Sequence, residues 1–97
     1  MVVEIAILEA KAGEADNMRK GLEAARKIIS QANGYLDSTF QQSIEDPNRF
    51  VLYIKWQTVE DHTNGFRQGP LFPEWRSLWA QYMNGTPNVQ HYQVFAG

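Results

Sequence analysis

Residues 50–79 read FVLYIKWQTVEDHTNGFRQGPLFPEWRSLW and hold all three tryptophans and one of the two histidines of the chain. The run from Phe50 to Trp56 predicts a buried strand, because it is rich in aromatic and β-branched residues. Thr58 is suited to cap a short helix that carries His62 and ends before Gly69-Pro70. A second helix, opened by Pro73, is predicted from a series at helical spacing: Trp75, Leu78, Trp79 and Tyr82.

The remaining segments complete an alternating order of strands and helices. They are a strand over Val2–Ala10, a helix over Glu14–Ala32, a strand over Tyr35–Ser43 and a last strand over Val89–Phe95. In the second strand one face is expected to carry Leu36, Ser38, Phe40 and Gln42. With the third strand at Arg49–Trp56, the order β-α-β-β-α-β predicts an α+β, ferredoxin-like fold with an antiparallel four-stranded sheet. We expect residues 1–97 to form one domain.

Two strands are apolar on both faces. Val3, Ile5 and Ile7 alternate with Val2, Ala6 and Leu8 in the first strand, and Leu52 and Ile54 oppose Val51 and Tyr53 in the third. One layer of helices covers only one face of such a sheet. The other face predicts a second sheet, most simply from a copy of the same chain, and hence a homodimer.

Composition excludes several classes of function. A net charge of −2 without a basic stripe argues against nucleic acid. The absence of cysteine excludes disulfides and thiolate chemistry. No apolar run reaches the ~20 residues of a membrane span, and the first residues do not form a signal peptide. We therefore expect a cytoplasmic protein without a membrane partner.

The chain resembles the antibiotic biosynthesis monooxygenase family, whose members are dimeric α+β barrel proteins. The likeness rests on the order of elements, on FVLYIKW ending at Trp56, on the Glu-Asp-His helix start, on Phe66-Arg67, and on Pro70-Leu-Phe72 with Trp75. It implies a small-molecule enzyme that oxygenates aromatic, quinol-like compounds without metal or flavin. Haem-degrading relatives differ, since here the first strand lacks Asn and Phe66 stands where they have a His.

His62 is the candidate catalytic residue. At its helical position it shares a face with Phe66, so it is expected to point toward the sheet. A neutral imidazole can act as the base that removes a proton from a phenol or quinol, or it can orient a hydroxyl group. The alternative is a buried core histidine bonded to a carbonyl or a tyrosine. The catalytic interpretation requires that His62 border a cavity open to solvent and contact a polar partner.

Seven further residues are candidates for substrate binding. The resemblance favours Trp56 in the pocket, with apolar walls from Phe40, Phe66, Phe72 and Trp75. Arg67 either anchors an acidic substrate group or pairs with Glu74 at the surface. His91 either joins His62 or has a purely structural role. Two histidines without a ligand motif predict no metal site.

The sequence leaves two functions open. The first is a cofactor-independent monooxygenase that uses these residues. The alternative is a non-catalytic protein of the same fold, which binds a small apolar ligand or serves only as a dimeric module.

Overall fold

The computed structural model describes all residues from 1 to 97. Four strands and two α-helices, with one π-helical and one 3₁₀ segment, follow one another along the chain. They are β1 (Val2–Glu9), α1 (Ala15–Ile29), β2 (Tyr35–Gln42), β3 (Arg49–Trp56), the π-helix (Asp61–Phe66), α2 (Leu71–Ser77), the 3₁₀ helix (Ala80–Tyr82) and β4 (Asn88–Tyr92).

The strands form one antiparallel sheet in the order β2-β3-β1-β4. This is the ferredoxin-like order, and the predicted α+β fold is confirmed. β1 lies in the middle of the sheet, where Glu4 is opposite Ile54 of β3 and His91 of β4. Residues far apart in the chain therefore meet around the first strand. None of the helices is long and apolar enough to cross a membrane.

The core lies between one face of the sheet and the helical layer. The even-numbered residues of β3 from Phe50 to Trp56 face this layer and are buried, as is the apolar stripe of α1. That stripe consists of the four predicted residues Met18, Leu22, Ala25 and Ile29. Gly21 allows α1 to approach α2 closely, because a Cβ there would collide with the carbonyl oxygen of Leu78. The two helices are thereby held as one layer over the sheet.

Several helices and strands begin or end at residues other than those predicted. α1 stops at Ile29, and a turn leads to Gly34, whose φ of 83° is the left-handed value that glycine accepts readily. β4 ends at Tyr92, so the residues to Phe95 lie beyond the sheet. The helix expected from Pro73 begins at Leu71 and breaks after Ser77 into a 3₁₀ turn.

Leu36 does not share a face with Ser38. The β2–β3 register shifts between Tyr35 and Asp37, so a bulge places Tyr35 opposite Trp56 and leaves Leu36 51% exposed. A bulge inserts one residue without a partner, which breaks the strict alternation that the prediction assumed.

Candidate functional site

β1 carries a buried carboxylate. Side chains alternate along a strand, so Glu4, Ala6 and Leu8 all face the helical layer. Glu4 is only 3% exposed. A carboxylate in such a position requires polar partners, because an unpaired buried charge is costly.

Two aromatic side chains supply those partners at the same oxygen. The indole Nε1 of Trp56 donates a hydrogen bond of 2.9 Å to Glu4 Oε1. His62 Nε2 lies 3.4 Å from that oxygen, a looser polar contact. The second oxygen, Oε2, has no protein partner and is not among the fully enclosed unpaired polar atoms, which are the indole nitrogens of Trp75 and Trp79. Glu4 is thus anchored through one oxygen and leaves the other available.

His62 is oriented by a π-helical turn. Thr58 Oγ1 accepts a hydrogen bond from the Asp61 amide at the start of the turn, as the predicted cap requires. The Arg67 amide donates to the His62 carbonyl oxygen, five residues back, which is the π pattern. In an α-helix, residues five apart would lie about 140° apart around the axis. The wider turn brings Arg67 round toward the side of His62, which a regular helix to Gln68 would not do.

The imidazole of His62 is held on two sides. It stacks on Trp56 with ring centroids 5.3 Å apart and an interplanar angle of 20°. Its Nδ1 is 2.8 Å from His91 Nε2, a hydrogen bond in which either nitrogen can carry the proton. When Glu4 is ionised, a proton on His62 Nε2 faces the carboxylate, and Nδ1 then accepts from His91. Glu4, His62 and His91 form a continuous polar row.

Burial sets the protonation of this row. Loss of solvent raises the pKa of Glu4 from 4.5 to about 7, against the opposing effects of the Trp56 bond and the Arg67 charge. Burial, with the nearby charges of Arg67 and His91, lowers the pKa of His62 to about 3. The pKa of His91 is also lowered, first by burial and then by Arg67. Near neutral pH both imidazoles are uncharged, and Glu4 is the group that exchanges a proton.

A cavity of about 380 Å³ adjoins Glu4 and His62. Both Arg67 and Arg76 are exposed residues in its wall, so it opens to solvent on their side. Its volume is within the range of small-molecule pockets, ~300–1,000 Å³. The complete lining is Glu4, Ala6, Leu8, His62, Arg67, Phe72, Trp75, Arg76, Trp79, Pro87 and Val89.

The predicted residues fall into three groups around this cavity. His62, Arg67, Phe72 and Trp75 line it. Three others do not line the cavity but contact His62: the rings of Trp56 and Phe66 stack with it, and His91 forms a hydrogen bond with it. Phe40 lies elsewhere, in a groove beside α1 with Leu22 and Phe50, because β2 is the edge strand farthest from β4. Arg67 does not pair with Glu74.

Glu4 was not among the candidate site residues predicted from the sequence. The only signal was one carboxylate inside an otherwise apolar run, and its orientation depends on the phase of the strand. No group of three or more His, Cys, Asp or Glu side chains is arranged to hold a metal ion. The ionisable and polar groups that line the cavity are the carboxylate of Glu4, the imidazole of His62 and the guanidinium groups of Arg67 and Arg76.

Comparison with known proteins identifies the class. The fold and the buried Glu4–Trp56–His62 arrangement define a small ferredoxin-like protein with a cavity beside its first strand. The family model described as antibiotic biosynthesis monooxygenase matches residues 1–78, and the chain belongs to this family.

Two relatives are similar over nearly their whole length. The uncharacterised protein YczJ of Bacillus subtilis is 33% identical over 93 residues, covering 96% of this chain and 98% of its own. A candidate antibiotic biosynthesis monooxygenase from Bordetella bronchiseptica is also 33% identical, with a TM-score of 0.93 and coverage of 98% and 97%. SnoaB, a cofactor-independent oxygenase from Streptomyces nogalater, shares the fold at 10% identity, with a TM-score of 0.83 and coverage of 99% and 94%.

Proposed function

We propose that this protein is a cofactor-independent monooxygenase that acts on an aromatic, quinol-like compound in the cavity beside β1, with Glu4 as the general base. One observation carries the proposal: Glu4 is buried and anchored through Oε1, while Oε2 has no partner from the protein. A base works best when its pKa is near the working pH, and burial brings the pKa of Glu4 to about 7.

The reaction balances with dioxygen as the only oxidant. Glu4 removes a proton from the activated carbon of an anthrone-type CH₂ group, or from the hydroxyl of its phenolic tautomer. The electron-rich anion reduces O₂ and forms a C–O bond, which gives a hydroperoxide. Loss of the second hydrogen and cleavage of the O–O bond leave a carbonyl and release water. The carbon loses four electrons and O₂ gains them, with one oxygen in the product and one in water.

His62 takes the orienting role of the two predicted for it. With its pKa lowered to about 3, its neutral ring is a weak base but can still donate a hydrogen bond from Nε2. Its Nδ1 is occupied by His91, so the Nε2–H, which is 3.4 Å from Glu4 Oε1, is the one donor that can be shared between the carboxylate and a substrate hydroxyl in the cavity. Trp56 acts through Glu4 and His62, because it does not line the cavity itself. Phe72 and Trp75 supply apolar contact for the ring of the substrate.

The comparisons support this proposal at the level of chemistry. The family is described as a monooxygenase family, and SnoaB of the same fold is described as cofactor-independent. Activation of an electron-rich aromatic by proton removal needs a base, the role proposed for Glu4, and O₂ as the oxidant.

Oxygen uptake tests the function directly. The purified protein is assayed with a panel of anthrones and hydroquinones, beside Glu4→Gln and the control Glu9→Gln, which changes a carboxylate of the same strand that pairs with Arg49 outside the cavity. We expect Glu4→Gln to lower kcat by about 10²–10⁴-fold, the usual contribution of a general base, while Glu9→Gln retains activity. Equal uptake by the parent and Glu4→Gln would remove the proposed role. Binding without any uptake would favour the ligand-binding alternative.

We also propose that two copies pair through the open face of the sheet. Ile7 is 37% and Tyr92 47% exposed on this face, and no helix covers it. Val51 and Tyr53 of β3, also on this face, are only partly buried. Beyond the end of β4, Phe95 is 99% exposed. Burying this apolar surface against a second copy would stabilise a chain of this size.

A further inference from the structure

Two guanidinium groups stand in the wall of the cavity without an acidic partner. Arg67, at the end of the π-helix, and Arg76, in α2, both line it. The ion pairs of the structure are Arg19–Glu23, Arg26–Asp37 and Arg49–Glu9, and the neutral His62 makes a polar contact with Glu4. Neither cavity arginine takes part in any of these contacts. Glu4 is the only acidic residue among the lining residues.

We propose that the ligand of this cavity is an aromatic carboxylate, whose anionic group is held by Arg67 and Arg76 while its ring extends toward Glu4. The planar guanidinium group suits a carboxylate because it can donate two parallel hydrogen bonds. This inference rests on the proposed function for the reaction, but the binding preference can be measured without turnover.

The distribution of charge in the cavity fits this orientation. The Arg67 charge contributes to the lowered pKa values of His62 and His91 and moderates that of Glu4, so it acts on the whole polar row. If the carboxylate of the ligand lay beside Glu4, the ionised Glu4 side chain would repel it. An anion bound by the two arginines has its charge offset by theirs, so it leaves no uncompensated negative charge near Glu4.

The space between the two ends is apolar and aromatic. Phe72 and Trp75 lie in the cavity wall with ring centroids 5.7 Å apart, and Trp79 packs edge-on to Trp75. Flat aromatic surfaces favour a flat aromatic ligand over an aliphatic acid of equal charge. The two arginines favour an anionic group, and the aromatic side chains favour a flat ring. Both features of the cavity therefore favour an aromatic carboxylate.

Calorimetric titration with a pair of unreactive compounds tests the inference. 2-Naphthoate and the neutral 2-naphthamide have the same ring and differ chiefly in charge. We expect the parent protein to bind the carboxylate about tenfold or more tightly than the amide, because hydrogen bonds from guanidinium groups to a charged acceptor are stronger than those to a neutral one. The preference should fall as salt is raised.

Arginine variants test which side chains produce the preference for the carboxylate. Arg67→Gln and Arg76→Gln should each reduce the preference for the carboxylate, and Arg67→Lys should keep part of it. Arg19→Gln is the control, because Arg19 is an exposed arginine of α1 that lines a different groove. Equal binding of the two compounds to the parent would overturn the inference, as would the same loss in Arg19→Gln. A carboxylate preference with no oxygen uptake would uphold the inference while removing the proposed function.

Discussion

The indole of Trp56 donates a 2.9 Å hydrogen bond to the carboxylate of Glu4 across 52 residues of sequence. The antiparallel pairing of β1 with β3 explains how they meet, since Val2 is the residue directly opposite Trp56 and Glu4 is the next residue of β1 on the same face. The bond fixes one carboxylate oxygen and is the only protein hydrogen bond that lowers the pKa of this buried acid. The strand pairing that forms the fold therefore also prepares the candidate base.

Replacing Trp56 by Phe should raise the pKa of Glu4 further. The substitution removes the N–H that favours the ionised form, and a hydrogen bond to a charged group corresponds to roughly one pKa unit or more. The pKa is measured by ¹³C NMR titration of the Glu4 carboxyl carbon, which requires no substrate. Trp79→Phe is the matched control, because Trp79 is also a buried indole but its Nε1 has no partner. An unchanged Glu4 pKa in Trp56→Phe, or an equal shift in Trp79→Phe, would contradict this prediction.

Glu4 and His62 should have opposite effects on stability as pH changes. Folding raises the pKa of Glu4 from 4.5 to about 7. The stability that Glu4 contributes is therefore fully present below pH 4.5 and is lost as the pH rises to about 7. The folded state lowers the pKa of His62 from 6.5 to about 3, so stability is lost as pH falls below 6.5. Between pH 4.5 and 6.5 the two effects largely cancel in the parent.

Variants that lack either Glu4 or His62 should show the pH dependence that the remaining group gives to stability. The free energy of unfolding is measured by urea unfolding at a series of pH values. In His62→Gln the free energy of unfolding should fall between pH 4.5 and 7, with a slope of up to about 1.4 kcal/mol per pH unit relative to the parent. In Glu4→Gln it should fall in the opposite direction, as pH decreases below 6.5. Parallel curves for the three proteins would show that these groups do not titrate as described.

The sequence predicted the fold because the fold follows from patterns that repeat. The stripe on α1 and the shared face of His62 and Phe66 needed only helical spacing, and both residues of that pair are buried. Glu4 could not be assigned in the same way. β1 is apolar on both faces, so alternation gave no sign of which face the helices would cover.

The π-helix in the helical layer could not be predicted from the sequence either. Spacing predicts a regular helix through Arg67, whereas the π-turn depends on how residues Asp61–Phe66 fit over the sheet. Phe40 was grouped with the other aromatic residues of the pocket wall on the basis of the family resemblance. Its distance from His62 depends on strand order, which residue patterns do not specify.

Gly34 should be sensitive to substitution for a steric reason. Its φ is 83°, and a Cβ at this position would collide with the side chain of Asp61, at the start of the π-helix. Gly34→Ala should therefore destabilise the protein by about 2 kcal/mol or more, combining backbone strain with the collision. Gly13→Ala separates the two causes, because Gly13 has a φ of 78° but no atom within 4 Å of its Cβ position. Equal losses in thermal unfolding experiments on the two variants would show that the contact with Asp61 has no effect.

A charge at Ile7 should weaken pairing of two copies through the open sheet face. Ile7 is in the central strand β1, its side chain is 37% exposed, and it lies opposite Val51 in the register. Sedimentation velocity at micromolar concentration should find the parent as a dimer and Ile7→Lys as a folded monomer, since an unpaired lysine within an apolar interface is costly. Ile44→Lys is the same substitution at a loop residue that is 91% exposed, and it should leave the dimer intact. A monomeric parent, or a dimer that persists in Ile7→Lys, would exclude pairing through this face.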